Sequence, residues 1–169
     1  MSDTPAEIQI VPMATNHLAP VLKIEKTVFR DSWTASSFLE VIRMSDKSWV
    51  ALCGEGVAGY LVTQWVLDEV HILNLAVTVP MQRQGIAAKL MQFLIDLCGN
   101  SGMRDLFLEV RVSNLPAISL YQRFGFRQLT LRKSYYPDGE DAWVMHSRLE
   151  THDESAHEAN ELNERGREG

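Results

Sequence analysis

Little in this chain points to oxidation, export, a membrane or a metal. It has two cysteines in 169 residues, Cys53 and Cys98, both inside apolar patterns, so two buried thiols are expected rather than a disulfide framework. No apolar run reaches the ~20 residues of a membrane-spanning helix. Met1-Ser2-Asp3-Thr4-Pro5 carries neither a positive n-region nor an apolar h-region, so no export signal is expected and a cytoplasmic location is. No basic stripe argues for nucleic acid as a partner. Of five histidines, His71 and His146 stand alone in predicted strands, while His152 and His157 fall near the C-terminus. None has the histidine, cysteine or aspartate spacing of a metal site, and no metal is expected. Repeats and linkers are also lacking. With 46% apolar and 22% charged residues, one soluble domain with a full-sized core is expected over residues 1–150, as a monomer.

The formal charge of −6 is unevenly spread. Residues 151–169 hold six acidic and two basic residues, a net of −4, which leaves −2 for residues 1–150. That segment has almost nothing apolar to bury, so a disordered acidic tail or a frayed helix is expected there.

The most informative segment is Gln82-Arg83-Gln84-Gly85-Ile86-Ala87. It follows the apolar run 72–79 and opens an amphipathic stretch ending near Cys98, so a strand feeds a glycine turn and then a helix N-terminus. Such a turn offers unpaired N–H groups and a positive dipole end to an anion, and Gly85 allows close approach because it has no Cβ. Arg83 adds a positive charge, and Ala87 keeps the next position small. A diphosphate suits the loop. The Walker ending Gly-Lys-Ser/Thr is absent, and one glycine is too few for a dinucleotide fingerprint. An ordinary strand-to-helix turn is the alternative.

Downstream, Leu108-Glu109-Val110-Arg111-Val112-Ser113-Asn114 ends a second strand, and Ala117-Ile118-Ser119-Leu120-Tyr121-Gln122-Arg123-Phe124-Gly125-Phe126 follows. Arg132-Lys133-Ser134-Tyr135-Tyr136-Pro137 and Glu140-Asp141-Ala142 come next. These four motifs, in this order, resemble the Gcn5-related N-acetyltransferases (GNAT family), and in detail the ribosomal-protein alanine N-acetyltransferase branch called RimI. The likeness is strong from about Leu75 to Leu149 and looser before Trp49, where Phe29, Trp33 and Phe38 are scattered matches. Ala87 stands where the commoner residue is glycine, and the acidic tail falls outside the pattern.

The periodicities give a short strand at 8–12, a helix capped by Thr15 or Asn16 to about Val28, and a helix from Thr34 to Met44. A hairpin follows (48–53 and 57–66), then a central strand (Val70–Val77) and a helix from Gly85 to Cys98. That helix turns Ala87, Leu90, Met91, Leu94 and Leu97 inward. A strand from Leu106, a short helix after Asn114 and a closing hairpin (Gln128–Tyr136 with Ala142–Leu149) complete an α/β sandwich. The resemblance makes this a GNAT-type acyl-CoA N-acyltransferase fold, a mixed, mostly antiparallel sheet flanked by helices.

Strand alternation sets Phe107, Glu109 and Arg111 on one face and Leu106, Leu108, Val110 and Val112 on the other. A mid-strand glutamate needs a partner or a purpose, and an ion pair with Arg111 is one account. The resemblance implies the other: Glu109 as general base, directly or through water, a task a half-buried carboxylate suits. Tyr121 reads from periodicity as a core tyrosine; the resemblance implies a general acid toward the coenzyme sulfur, and a phenol of pKa ~10 stays protonated at neutral pH. Asn114 suits an N-cap, and in the family its counterpart also contacts the coenzyme. The resemblance further implies acetyl-CoA as co-substrate, held by Arg83, Gln84, Gly85, Ile86, Ala87 and Ala88. It also implies a splayed strand end that leaves backbone groups of Leu75, Ala76 and Val77 to the pantetheine arm. Pro80, lacking an N–H, agrees with pairing that stops nearby. No serine nucleophile motif is present, and direct transfer is the simpler expectation.

A protein α-amine, pKa ~7.7–8.0, is roughly one-tenth neutral at pH 7, whereas a lysine at ~10.4 is almost wholly charged. A modest base is adequate for the first. Tyr135 and Tyr136 read either as walls of a peptide groove or as ordinary strand aromatics. The resemblance points to the N-terminal alanine of a small-subunit ribosomal protein, the eighteenth. Two alternatives stand beside it. One is a different acceptor, either a lysine or a small amine such as a polyamine or an aminoglycoside, for which Asp138, Glu140 and Asp141 could supply the acidic residues. A non-catalytic acyl-CoA-binding regulatory module would not need both Glu109 and Tyr121.

Overall fold

Strand and helix alternate along the chain because its apolar residues switch between periods of two and about 3.6. The computed structural model describes residues 7–44 and 47–150. Residues 151–169, where an acidic tail is expected, lie outside the described residues. The elements are β1 (Ile8–Pro12), α1 (Leu18–Val28), α2 (Ala35–Met44), β2 (Ser48–Cys53), β3 (Gly56–Val66), β4 (Glu69–Val77), α3 (Ile86–Asn100), β5 (Asp105–Arg111), α4 (Leu115–Arg123), β6 (Arg127–Arg132) and β7 (Ala142–Arg148). The strands form one seven-stranded sheet in the order β1-β2-β3-β4-β5-β7-β6. Only β4 and β5 pair in parallel among these neighbours, as a crossover through α3 requires. The mixed, mostly antiparallel sheet expected from the motifs is therefore present.

Each face of the sheet has its own core. α3 and α4 bury Leu90, Met91, Leu94, Cys98, Ile118 and Tyr121 against one face, with Trp49, Leu61, Val70 and Leu106. α1 and α2 bury Val21, Ile24 and Phe38 against the other, with Val50, Tyr60, Val62 and Ala76. Leu61 therefore faces one way and its neighbours Tyr60 and Val62 the other, and strands covered on both sides lose the polar-out pattern. The second core takes no buried residue from β5, β6 or β7, so that part of the face carries an open groove.

The centre of the sheet parts at one place. β4 and β5 are in register from Glu69↔Asp105 to Ile72↔Leu108 and no further. On the β3 side the register shifts, from Thr63↔Ile72 to Val62↔Asn74, which leaves Leu73 as an extra residue. A bulge of this kind bends and twists its strand, and here it turns β4 away from β5. β3 follows the bend closely: a Cβ on Gly59 would stand 2.7 Å from the Ala76 carbonyl oxygen.

Four expectations need correction. The first helix begins as a 3-10 turn at Thr15–His17, whose N-cap is Ala14; the Ala14 N–H donates to His17 Nδ1 at 3.1 Å, and neither Thr15 nor Asn16 caps. In α3, Ile86 and Cys98 are buried where Ala87 and Leu97 are only partly so, because the stripe drifts around the helix. Cys53 is half-buried, being the last residue of β2 at its turn. β6 ends at Arg132 instead of Tyr136: Ser134 takes φ 50 and donates its N–H to Asp141 Oδ1 at 2.8 Å, which puts Tyr135 and Tyr136 in a loop.

Candidate active site

The parting of β4 from β5 lets side chains from opposite faces of the sheet line one space. Tyr121 belongs to the α3/α4 side and Glu109 to the α1/α2 side. Both line a cavity of about 390 Å³, together with Leu75, Asn114, Asn74 and Glu25. A second cavity of about 590 Å³ runs along the open face between His71, Phe107, Leu129 and Tyr135. Glu109, Trp33 and Tyr136 line both. Glu109 thus stands where the two cavities meet.

Glu109 does not pair with Arg111. Its Oε1 lies 3.2 Å from Arg132 Nε, and its side chain is 28% exposed. Hydrogen bonding to Glu109, then burial, raises the Tyr135 phenol above its ordinary value. Arg111 instead gathers three other carboxylates: Asp31 Oδ2 at 2.6 Å, Asp138 Oδ2 at 2.9 Å and Glu140 Oε1 at 3.0 Å. Its guanidinium also lies 4.0 Å over the Tyr136 ring, a cation–π distance. Three acceptors on one fork spend its attraction, which is why the nearer carboxylate along the strand goes elsewhere. Hydrogen bonds from the Ser113 hydroxyl and N–H, with Arg111, hold the Glu140 carboxyl below its usual range, and the Glu140 N–H and Arg111 do the same for Asp138. Asp141, expected beside them, caps Ser134.

Tyr121 is 8% exposed, and burial pushes its phenol up, with Tyr136 adding to the shift. It therefore keeps its proton throughout the neutral range. Burial also pushes Tyr136 up to about 12, against the lowering pull of Arg111. Asn114 is the N-cap of α4 as expected, its Oδ1 accepting the Ala117 N–H at 3.3 Å.

At the start of α3, Gly85 is the N-cap with φ 81 and no side-chain cap bond. The position requires glycine through this left-handed φ, since an added Cβ would meet nothing within 4 Å. Arg83 also takes a positive φ, 61. Left-handed residues alternating with others turn successive N–H groups toward one side, and Ile86, Ala87 and Ala88 have N–H groups without an intrahelical partner. Gln84 uses its amide on the Pro80 carbonyl at 3.3 Å. Residues 82–88 line neither cavity; they form a separate corner whose free N–H groups suit an anion. Of the β4 backbone, the Val77 carbonyl is not free, because Gln82 Nε2 donates to it at 3.1 Å. Leu75 and Ala76 lie beyond the last β5 partner. An open strand edge, a cavity beside it and an uncapped helix end fit a long molecule with an amide-bearing arm and a diphosphate. No cluster of three or more metal-ligating side chains occurs among the described residues, and none of their helices is long and apolar enough to cross a membrane.

Glu25, on α1, was not singled out from the sequence. It is 1% exposed and accepts from the Trp33 N–H (2.9 Å), the Asn74 amide (2.9 Å) and the Tyr60 hydroxyl. Asn74, Asp31 and Arg132 were also not singled out. A glutamate among Val21, Leu22 and Leu18 on a helix stripe was the available signal, because such a carboxylate must find buried donors.

The fold and this site have the form of the acyl-CoA N-acyltransferases. A family model for the Acetyltransferase (GNAT) family matches residues 18–126, and the chain belongs to that family. It is similar to the [ribosomal protein bS18]-alanine N-acetyltransferase of Escherichia coli (strain K12), 47% identical over 92 residues, 53% of this chain and 62% of that protein. The match thus spans about 62% of that relative's length. The Salmonella typhimurium (strain LT2) protein of the same name is 34% identical over 136 residues, 79% of this chain and 92% of its own. The crystal structure of the ribosomal-protein-S18-alanine N-acetyltransferase from Escherichia coli superposes with a TM-score of 0.79 at 33% identity, covering 86% of this chain and 96% of the other.

Proposed function

We propose that residues 1–150 form a single cytoplasmic, acetyl-CoA-dependent N-α-acetyltransferase domain, whose acceptor is a protein N-terminus, the N-terminal alanine of a small-subunit ribosomal protein in particular. The relatives named above support that acceptor. The observation that carries the reading is Glu109 at the junction of the two cavities, with Tyr121 in the smaller one. When bound, acetyl-CoA supplies the thioester that gives up the acetyl group. Gly85, Ile86, Ala87 and Ala88 hold its diphosphate through backbone N–H groups, with Arg83 beside them and Gln84 shaping the turn. Leu75, beyond the last β5 partner, offers its backbone to the arm, Ala76 and Val77 contribute their part of the strand, and Asn114 lines the same space.

Glu109 accepts the proton of the α-ammonium at a carboxylate oxygen, directly or through water, and the amine's lone pair is freed to attack. Tyr121 holds a proton on its hydroxyl for the departing sulfur. Trp33, Tyr135 and Tyr136 wall the acceptor side and exclude water. Of the acidic residues that a polyamine would use, Asp138 and Glu140 are already bound to Arg111 and Asp141 accepts the Ser134 N–H, which supports the peptide reading. Turnover of acetyl-CoA is tested against N-terminal peptides, lysine peptides and polyamines, with mass spectrometry locating the acetyl group. Acetyl on the peptide α-amine is expected; acetyl on lysine or polyamine alone overturns the acceptor.

A further inference from the structure

Glu25 lines the smaller cavity beside Glu109 and Tyr121, yet it takes no part in the proposed proton transfers. Both of its oxygens are engaged: Oε1 accepts the Trp33 N–H at 2.9 Å, and Oε2 accepts the Tyr60 hydroxyl and, at 2.9 Å, the Asn74 amide. The Asn74 contact is the informative one, because it fixes which way β4 faces. Ile72, Leu75 and Val77 pack with the α3/α4 core, and Ala76 with the α1/α2 core. Leu73 lines the larger cavity with His71 on the α1/α2 side, and Asn74 reaches Glu25 of α1 on that same side. Residues 73 and 74 therefore share a face where a regular strand would alternate. Sliding β4 into a regular register from Thr63↔Ile72 would set Leu73 opposite Val62 and Asn74 opposite Leu61. The Asn74 amide would then enter the apolar α3/α4 core, away from Glu25, and Leu75 and Val77 would change faces.

Resting on the coenzyme placement proposed above, and not on the acceptor, we infer that Glu25 is a positioning residue for acetyl-CoA. Through Asn74 it keeps Leu73 as the extra residue of the bulge, and so holds β4 parted from β5 where the coenzyme's arm lies. Three elements meet at this one carboxylate: α1 through Glu25 itself, β3 through Tyr60 and β4 through Asn74. Tyr60 pairs with Ala76 and Val62 with Asn74, so the hydroxyl and the amide approach Oε2 from neighbouring strands on one side of the sheet. When the contact is weakened, a regular register competes, and the apparent affinity for the coenzyme falls with the fraction of molecules that stays parted. The loss of one buried hydrogen bond is enough to shift such a balance by roughly 10-fold.

The test measures acetyl-CoA dissociation constants by calorimetry on the full chain, well below its melting temperature, with urea unfolding alongside. Asn74→Ala removes the donor, and Asn74→Asp sets a second carboxylate against Glu25; each should raise the dissociation constant roughly 10-fold or more. The double variant Glu25→Gln/Asn74→Asp exchanges donor and acceptor at unchanged size, so its affinity should return to within about threefold of the parent. A contact that only stabilised the fold would move the urea midpoint and leave the affinity of the folded protein alone. Should Asn74→Asp fail to fold, Asn74→Ala decides. An unchanged affinity in folded Asn74→Ala, or a double variant that binds no more tightly than Asn74→Asp, would overturn the role given to Glu25 while leaving the coenzyme site intact. No binding of acetyl-CoA by the parent protein would overturn the coenzyme placement along with it.

Discussion

Replacing Glu25 by leucine keeps the side chain's bulk and removes every acceptor from a buried point where three donors converge. The Trp33 N–H and the Asn74 amide each donate at 2.9 Å, and the Tyr60 hydroxyl donates to the same carboxylate as Asn74. Tyr60 is fully buried and Asn74 is 9% exposed, so neither finds bulk water when the carboxylate goes. Each buried donor left without a partner costs about 1–3 kcal/mol. Three such donors therefore put the loss at roughly 3 kcal/mol or more, a large share of the ~5–15 kcal/mol that holds a domain together. Glu25→Gln should cost less. The tyrosine hydroxyl rotates and the asparagine amide turns round, so both can face a glutamine amide, while the Trp33 N–H keeps the remaining oxygen. Tyr60→Phe removes one donor and one partner together and should cost about 1–2 kcal/mol.

Urea unfolding at pH 7, followed by far-UV circular dichroism, measures all three variants, with an unchanged m-value as the sign of intact two-state behaviour. The order Glu25→Leu worst, with Glu25→Gln and Tyr60→Phe milder, is expected. The network also ties the Trp33 wall of the acceptor channel to β4 beside Leu75, so Glu25→Gln should raise KM for a peptide more than it lowers kcat. A Glu25→Leu protein within ~0.5 kcal/mol of the parent would refute the reasoning, because the three donors would then be finding partners the geometry does not provide.

Glu109→Gln should lower turnover, and Tyr121→Phe should lower it by roughly 10²- to 10⁴-fold, each with coenzyme affinity nearly intact; full activity of Glu109→Gln from pH 6 to 9 would leave Glu109 as the partner of Arg132 only. Gly85→Val forces a branched residue into φ 81 and should weaken acetyl-CoA binding in calorimetry, with unchanged affinity in a folded protein counting against the loop. Gly59→Ala sets a Cβ 2.7 Å from the Ala76 oxygen, so it should lower the melting temperature by several degrees and disturb the parting of β4 as well. Burial pushes the Cys98 thiol up to about 12 and Tyr136 up to about 12. Groups raised on folding stabilise fully below their unfolded values and lose that contribution as pH climbs to the folded ones. Stability in urea should therefore fall from about pH 9 to 12, and Cys98→Val should flatten its first part, since unfolded thiols titrate near 8.5–9 and phenols near 10.

What the sequence made legible was local. The turn at Gly85, the cap at Asn114 and the alternation of β5 all follow from neighbours in the chain, and all three stand as expected. The partner of Glu109 was not legible in this way. Arg111 is two residues away on the same face, whereas Arg132 arrives on β6, beyond β7, by a register no local pattern encodes. The end of β6 was misjudged for a similar reason, because Ser134 turns to meet Asp141 across the loop. The bulge at Leu73 leaves no mark in an apolar run, yet it opens the sheet and makes one cavity from two faces.

On the proposed function, Arg111 bears on the choice of acceptor more than its place in the strand would indicate. It binds Asp31 from the segment after α1, and Asp138 and Glu140 from the β6–β7 loop, so it fastens together the two segments that flank the acceptor channel. Two consequences follow from one set of contacts. Glu109 is left facing the channel with two partly exposed partners, Arg132 and Tyr135, and the exposed ion pair with Arg132 yields to a substrate at little cost, since such pairs contribute at most about 1 kcal/mol. The carboxylates that would draw a polycation are meanwhile spent on a fixed guanidinium. On the proposed function, a channel closed by this charged clasp and lined by Glu109 suits an uncharged backbone with one amine at its tip.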